Sequence, residues 1–143
     1  MSVNTLNWSK RGLEILDQRL LPVQKKRIVL TTTEGVCDAI KTLAVRGAPA
    51  IGVAAAYGVV VAAREKTNRD FVSSAIHALR QTRPTAVNLF YALGSMSEVV
   101  DSAFDSNDPV HFLLDKARAL HDEDIRICRE LSFHGAALIG DGD

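Results

Sequence analysis

Residues Val45 to Gly58 read VRGAPAIGVAAAYG. One arginine, one glycine and one proline stand ahead of a run of Ala, Val, Ile and Gly that carries almost no side-chain chemistry. Gly47 suits the end of a preceding helix or a turn with positive φ, and Pro49 suits the first position of a new helix. The pattern predicts a helix from about Pro49 to Lys66 that is apolar nearly all round until Arg64. A helix without a polar face belongs at the centre of a helical domain. Gly52 and Gly58 each cost such a helix about 1 kcal/mol relative to Ala, which is tolerated where another backbone comes close.

The flanks fill in the rest of the fold. Upstream, TTTEGVCDAIKTL (Thr31 to Leu43) offers Thr32 or Thr33 as an N-cap, and Val36, Ile40 and Leu43 mark a helix over about 34–43. Before it, the pairs Leu6 and Trp8, Leu13 and Ile15, and Ile28 and Leu30 alternate on a short period, with breaks at Gly12 and Leu21-Pro22. They predict two or three short antiparallel strands. Downstream, Asp70 caps a third helix whose inner face is Phe71, Ala75, Ala78 and Leu79. A fourth begins near Thr85 and carries Val87, Leu89, Phe90, Leu93, Met96, Val99 and Val100. Asp108-Pro109 opens a long fifth helix through Leu113, Leu120, Ile127, Leu131 and Leu138. The expected fold class is α+β and predominantly helical: a small N-terminal β-meander within about 5–30, then about five helices within about 34–139, as one domain over 1–143.

Composition narrows the function classes. With 143 residues and 47% apolar content, one domain can bury roughly two thirds of its unfolded surface. Lys plus Arg and Asp plus Glu both number 17, so there is no electrostatic case for nucleic acid or an anionic membrane as partner. Any anion has to be met locally. Cys37 and Cys128 show no CxxC spacing and are expected to be reduced core thiols. MSVNTLNWSK lacks the basic-then-apolar order of a signal peptide, and no apolar run reaches the ~18 residues of a membrane span. A cytoplasmic protein is expected. The last ten residues, HGAALIGDGD, are dense in Gly and Asp, which is the chemistry of a chain reversal into a further element. The natural polypeptide is therefore expected to continue past Asp143.

Two junctions carry the candidate binding chemistry. Arg46-Gly47-Ala48 precedes a helix N-terminus, where unpaired N–H groups and the helix dipole favour an anion and an adjacent guanidinium adds two more donors. Its plainer reading is a solvated loop arginine in an ordinary helix–loop–helix, and Pro49 removes one donor. RPTAVNL (Arg83 to Leu89) repeats the arrangement with Arg, Pro and a short hydroxyl residue at a helix start. Whether the two meet in space is open. His121, Asp124 and Cys128 fall at helical spacing, so a metal site is conceivable, but a charged patch in a long amphipathic helix reads more simply as its solvated face. No metal site is expected. His77 and His111 have no neighbour that suggests a catalytic dyad, and there is no Ser/His/Asp set, Walker loop or GxGxxG.

ILDQRLLP (Ile15 to Pro22), AIKTLAVRGAPAIGVAAAYG (Ala39 to Gly58) and RPTAVNL together resemble the N-terminal part of the methylthioribose-1-phosphate isomerase family. The resemblance covers nearly the whole chain, with three motifs in the right order. It implies a two-domain protein with a C-terminal Rossmann-like catalytic domain beyond this chain, usually a homodimer, that converts 5-methylthioribose 1-phosphate into 5-methylthioribulose 1-phosphate without a cofactor. By motif, Arg46, Gly47, Ala48 and Arg83 correspond to substrate-binding positions for the sugar phosphate. The family's catalytic cysteine and aspartate follow a stretch like HGAALIGDGD, which places both beyond Asp143. Neither Cys37 nor Cys128 inherits the role, and no catalytic residue is assigned within this chain. This chain alone is expected to be inactive. Related isomerases of ribose 1,5-bisphosphate or 5-deoxyribose 1-phosphate share the plan. Two other readings are a regulatory subunit like those of the exchange factor in translation initiation, and a free-standing helical domain.

Overall fold

The computed structural model describes residues 4–142. Asp143, the point past which the resemblance puts the catalytic cysteine and aspartate, lies outside the described residues. Three short strands, β1 (Leu6–Ser9), β2 (Gly12–Leu16) and β3 (Arg27–Leu30), form an antiparallel sheet in the order β1-β2-β3. The register pairs Leu6 with Ile15, Trp8 with Leu13, Leu13 with Leu30 and Ile15 with Ile28, so the alternating apolar residues share one face. A 3₁₀ turn at Gln18–Leu20 and a cis Leu21-Pro22 bond lie in the β2–β3 connection.

Six helices follow: α1 (Thr33–Lys41), α2 (Ala48–Glu65), α3 (Arg69–Arg80), α4 (Val87–Ser97), α5 (Val100–Asp105) and α6 (Pro109–Ala136). The α+β, mostly helical class and the meander are as expected. α2 is the central element. Its residues from Ile51 to Ala63 are all buried, and it packs against the sheet and against α1, α3, α4 and α6. By length and composition α2 could also cross a membrane, which amends the count of apolar runs, but most of it lies inside the domain. Its two glycines serve close packing. A Cβ on Gly52 would lie 2.7 Å from the Asn88 carbonyl oxygen, and one on Gly58 would lie 2.9 Å from the Val36 side chain.

The differences from expectation have local causes. α3 is capped by Asn68, whose side chain accepts from the Phe71 N–H, and Asp70 sits in the first turn. That start turns Val72, Ala75, Ile76 and Leu79 inward, while Ala78 is exposed. α4 begins at Val87 because the Ala86 N–H bonds back to the Arg83 carbonyl and closes a turn first. The fourth helix does not run through Val100. The Val99 N–H bonds to the Met96 carbonyl, three residues back, and the chain restarts as α5 so that Val100 and Ala103 face the core. No Gly or Pro marks that break. α6 ends at Ala136, and its last buried residue is Ala117. Leu120, His121 and Asp124 are still half-buried, and past them the helix runs over solvent: Ile127, Leu131 and Leu138 are 49%, 73% and 86% exposed. Cys37 is buried as expected, whereas Cys128 on the free part of α6 is exposed and is no core thiol.

Candidate functional site

The two arginine junctions meet. Leu43, Arg46, Gly47, Ala48 and Ile51 from the α1–α2 side, and Arg83, Thr85, Ala86, Val87 and Asn88 from the α3–α4 side, line one open cleft of about 580 Å³. The contact of Gly52 with Asn88 brings the two helix starts together, since no side chain separates α2 from α4 at that point.

Each wall is set by its local sequence. α1 ends at Lys41 with Thr42 as its C-cap, and Leu43 follows with φ 62°, a left-handed conformation that costs an L-residue roughly 1–2 kcal/mol. Ala44 and Val45 are buried, so the loop is pinned beneath Arg46. Gly47 stands at φ 96° as the N-cap of α2. The helix therefore begins at Ala48, one residue before the expected Pro49. On the other wall the Thr82 hydroxyl, 8% exposed, donates to the Leu79 carbonyl at 2.6 Å and ends α3. Arg83 follows it directly. Arg80, one turn earlier, stacks its guanidinium 5.6 Å from the Phe90 ring centre.

The electrostatics of the cleft are one-signed. Neither the Arg46 nor the Arg83 guanidinium has a hydrogen-bond or ion-pair partner among the described residues. α1, α3 and α6 are capped by the side chains of Thr32, Asn68 and Asp108. α2 and α4, the helices that open on the cleft, have no side-chain cap. Their first N–H groups remain as donors at the positive ends of two helices. Pro49 withdraws one of them, and the amides of Ala48, Val87 and Asn88 remain. Among the described residues, no carboxylate, imidazole, thiol or amine lines the cleft. Chemically it can hold an anion, and it carries no group to move a proton near neutral pH.

The sequence reading did not assign Leu43, Ile51, Thr85, Ala86, Val87 and Asn88 as site residues, although all six fall inside the quoted motifs. A second hollow of about 190 Å³ adjoins at Asn88, lined mainly by Pro49, Val53, Tyr91, Ala92, Leu120 and Ile127, with Glu123 and Asp124.

The histidines lie elsewhere. His121 Nδ1 is 3.0 Å from the Tyr57 hydroxyl. Tyr57 stacks on Trp8 at 5.6 Å, and Trp8 lies under Arg64. Burial pushes the Tyr57 hydroxyl up to about 12 and lowers His121. Cys128 Sγ is 3.9 Å from Asp124 Oδ1, but no group of three or more His, Cys, Asp or Glu is placed to hold a metal ion among the described residues. His77 bonds Gln81, and His111 pairs with Asp115 one turn on at 3.4 Å, an exposed contact that the sequence reading did not expect. Burial raises the Cys37 thiol, which keeps it protonated.

Two helix starts and two arginines without side-chain partners among the described residues surround one concavity of an α+β domain, an arrangement whose chemistry suits an anion. The chain belongs to the initiation factor 2 subunit family, whose pattern matches residues 44–143. It is 46% identical to the methylthioribose-1-phosphate isomerase of Methylococcus capsulatus, covering 97% of this chain and 41% of that protein. It is 41% identical to the enzyme of the same name from Thermotoga maritima, covering 99% and 42%. Among solved structures it is similar to 5-methylthioribose 1-phosphate isomerase from Pyrococcus horikoshii (TM-score 0.88, 32% identity, 96% of this chain and 41% of that one). It is also similar to the translation initiation factor eIF-2B subunit delta from A. fulgidus (TM-score 0.85, 36% identity, 99% and 43%). The chain thus spans about two fifths of the length of the curated relatives it matches.

Proposed function

We propose that this chain is the substrate-binding part of an aldose–ketose isomerase that converts 5-methylthioribose 1-phosphate into 5-methylthioribulose 1-phosphate. The observation that carries the reading is the convergence of Arg46 and Arg83, with two uncapped helix starts, on one cleft. A phosphate monoester offers several acceptor oxygens and a double negative charge at neutral pH, which two guanidinium forks and the amides of Ala48, Val87 and Asn88 can share.

Substrate and product are isomers. The bond from C1 to the ring oxygen breaks and that oxygen takes a proton, the C2 hydroxyl gives one up as C2 becomes the carbonyl, one hydrogen leaves C2 and one arrives at C1, and the phosphate stays on the C1 oxygen. With that oxygen esterified there is no free anomeric hydroxyl, so ring opening needs a placed acid and base. Nothing lining this cleft supplies them. These residues grip and orient the substrate, and orientation alone does not transfer the proton. The catalytic cysteine and aspartate of this reading belong to a segment beyond Asp143. The expected behaviour of this chain by itself is binding without turnover.

The adjoining hollow favours methylthio over a second phosphate at C5. Its walls are mostly apolar, its charged residues are Glu123 and Asp124, and no lysine or arginine lines it. In the full-length protein the same reading makes the enzyme a cytoplasmic homodimer of two-domain chains that needs no cofactor, with neither nucleic acid nor membrane as partner. The likeness to the A. fulgidus factor subunit supports a second reading, a scaffold subunit with no sugar-phosphate site. Calorimetric titration of the 143-residue chain separates the two. Binding of 5-methylthioribose 1-phosphate in preference to ribose 1,5-bisphosphate supports the isomerase reading, and binding of neither overturns it.

A further inference from the structure

The motif Ile15–Pro22 contributes nothing to the lining of the cleft, yet it is bonded to the loop that presents Arg46. Asp17 is only 4% exposed, and Arg19 takes both of its carboxylate oxygens. Nε donates to Oδ1 at 2.8 Å and Nη2 donates to Oδ2 at 2.6 Å. The Arg19 backbone N–H donates to Oδ1 as well, at 3.1 Å. A bidentate fork of this kind fixes the plane of the guanidinium. Its remaining nitrogen, Nη1, donates to Thr42 Oγ1 at 2.9 Å, and the Thr42 hydroxyl donates to the Asp38 carbonyl at 2.8 Å at the end of α1. The Gln18 N–H crosses to the same loop and donates to the Ala44 carbonyl at 3.0 Å. The Asp17 N–H is anchored on the Lys26 carbonyl at 2.9 Å, so the turn is rooted where β2 leads towards β3.

Between the two attachment points, Thr42 and Ala44, lies Leu43 with its left-handed backbone. Such a conformation persists in a leucine only where the surroundings impose it. Val45, whose N–H bonds to the Ala39 carbonyl, and Arg46 follow at once. We propose that Asp17, Gln18 and Arg19 are positioning residues. They hold the 42–47 loop in the conformation that presents Arg46 and the Gly47–Ala48 backbone to the cleft shared with Arg83. The functional half of this inference rests on the reading of that cleft as a phosphate-ester site. The structural half does not.

The test uses variants that cut the clamp while leaving the buried Asp17–Arg19 pair whole. Q18P removes one donor and drives its ring against the Ala44 carbonyl, 3.0 Å from the Gln18 nitrogen, so it pushes the loop off, while the turn's own backbone suits Pro at its first residue after an extended Asp17. T42V removes the hydroxyl at an exposed site and keeps its shape. Amide hydrogen exchange is followed residue by residue by NMR in the wild type and the double variant, alongside titration with ribose 1-phosphate. The expected result is exchange about tenfold or more faster at Leu43 and Val45, with protection at Val59 and Val60 in α2 unchanged. Weaker ribose 1-phosphate binding, by about fivefold or more, accompanies it. Protection lost evenly across loop and core, or an unchanged loop, overturns the inference, because the clamp is then general scaffolding. A loosened loop with unchanged affinity overturns it as well. A wild type that binds no ribose 1-phosphate sinks the function proposed above, and the exchange measurement still decides whether the clamp holds the loop.

Discussion

Gly52 and Asn88 touch backbone to backbone: a Cβ placed on Gly52 would stand 2.7 Å from the Asn88 carbonyl oxygen. This crossing holds the N-termini of α2 and α4 on one cleft. G52A must push α4 away, at a cost of about 1–3 kcal/mol in stability, and ribose 1-phosphate binding should weaken with it. Gly94, inside α4, has nothing within 4 Å of the point where a Cβ would stand, so G94A should stabilise the chain by about 0.5–1 kcal/mol. Urea unfolding of the two variants checks the opposite signs.

Arg46 is exposed and neither it nor Arg83 has a side-chain partner among the described residues. R46A and R83A should therefore each move stability by no more than about 0.5 kcal/mol. Each should weaken ribose 1-phosphate binding by roughly tenfold or more, the value of a charge-assisted hydrogen bond. Calorimetry and thermal unfolding on the same samples test the pair of expectations. Full affinity in both variants would remove the site assignment.

Acid stability should fall in two steps. Burial holds the His121 imidazole below its usual range, so the unfolded chain binds the proton first. Stability is then fully present above about pH 6.5 and declines as the pH falls towards the folded value. The Arg19 side chain, through its hydrogen bonds, holds Asp17 below the usual carboxylate range despite burial. Its contribution is present above about pH 3.9 and is lost as the pH drops through the lower folded value. H121Q should remove the first step, and D17N the second. Denaturant unfolding at a series of pH values reads both slopes.

Leu113 and Leu131 share α6 but not an environment, being 0% and 73% exposed. L113A should cost about 2–5 kcal/mol, whereas L131Q should stay within about 0.5 kcal/mol. Y57F, which leaves His121 Nδ1 without the hydroxyl 3.0 Å away, should cost about 1 kcal/mol. Urea unfolding ranks the three.

Tyr91 is 62% exposed and lines the hollow next to the cleft. On the proposed reading Y91E should weaken 5-methylthioribose 1-phosphate binding several-fold and leave ribose 1-phosphate binding nearly unchanged, since only the first has an apolar group at C5. Equal losses for both ligands would place the C5 group elsewhere.

Four of the residues that line the cleft, Arg46, Gly47, Ala48 and Arg83, were legible as helix-start positions because such signals are local. Arg46, Gly47 and Arg83 stand beside Pro and helix-start residues, and a helix start needs only a few neighbours to declare itself. The strands and the all-apolar α2 were legible for the same reason, since period and composition are properties of short windows. The break between α4 and α5 was not, because no Gly or Pro marks it and the turn inward of Val100 and Ala103 is a packing event. Cys128 looked like a core thiol because it shows no CxxC spacing and a lone reduced cysteine is among the most buried residue types. Only the fold shows that α6 leaves the core after Leu120 and His121, so that Cys128, Ile127, Leu131 and Leu138 run on into solvent.

By itself, then, the sequence determined the class of fold, the central helix and two arginines at two helix starts. Tertiary structure alone decided that those starts share a cleft, that no acid or base among the described residues lines it, and that Gln18 and Arg19 reach the loop beside Arg46. The physical reason is sequence distance. Gly52 and Asn88, or Arg19 and Thr42, meet across intervening elements, and such contacts depend on how helices and sheet pack and not on any pattern within one stretch of chain.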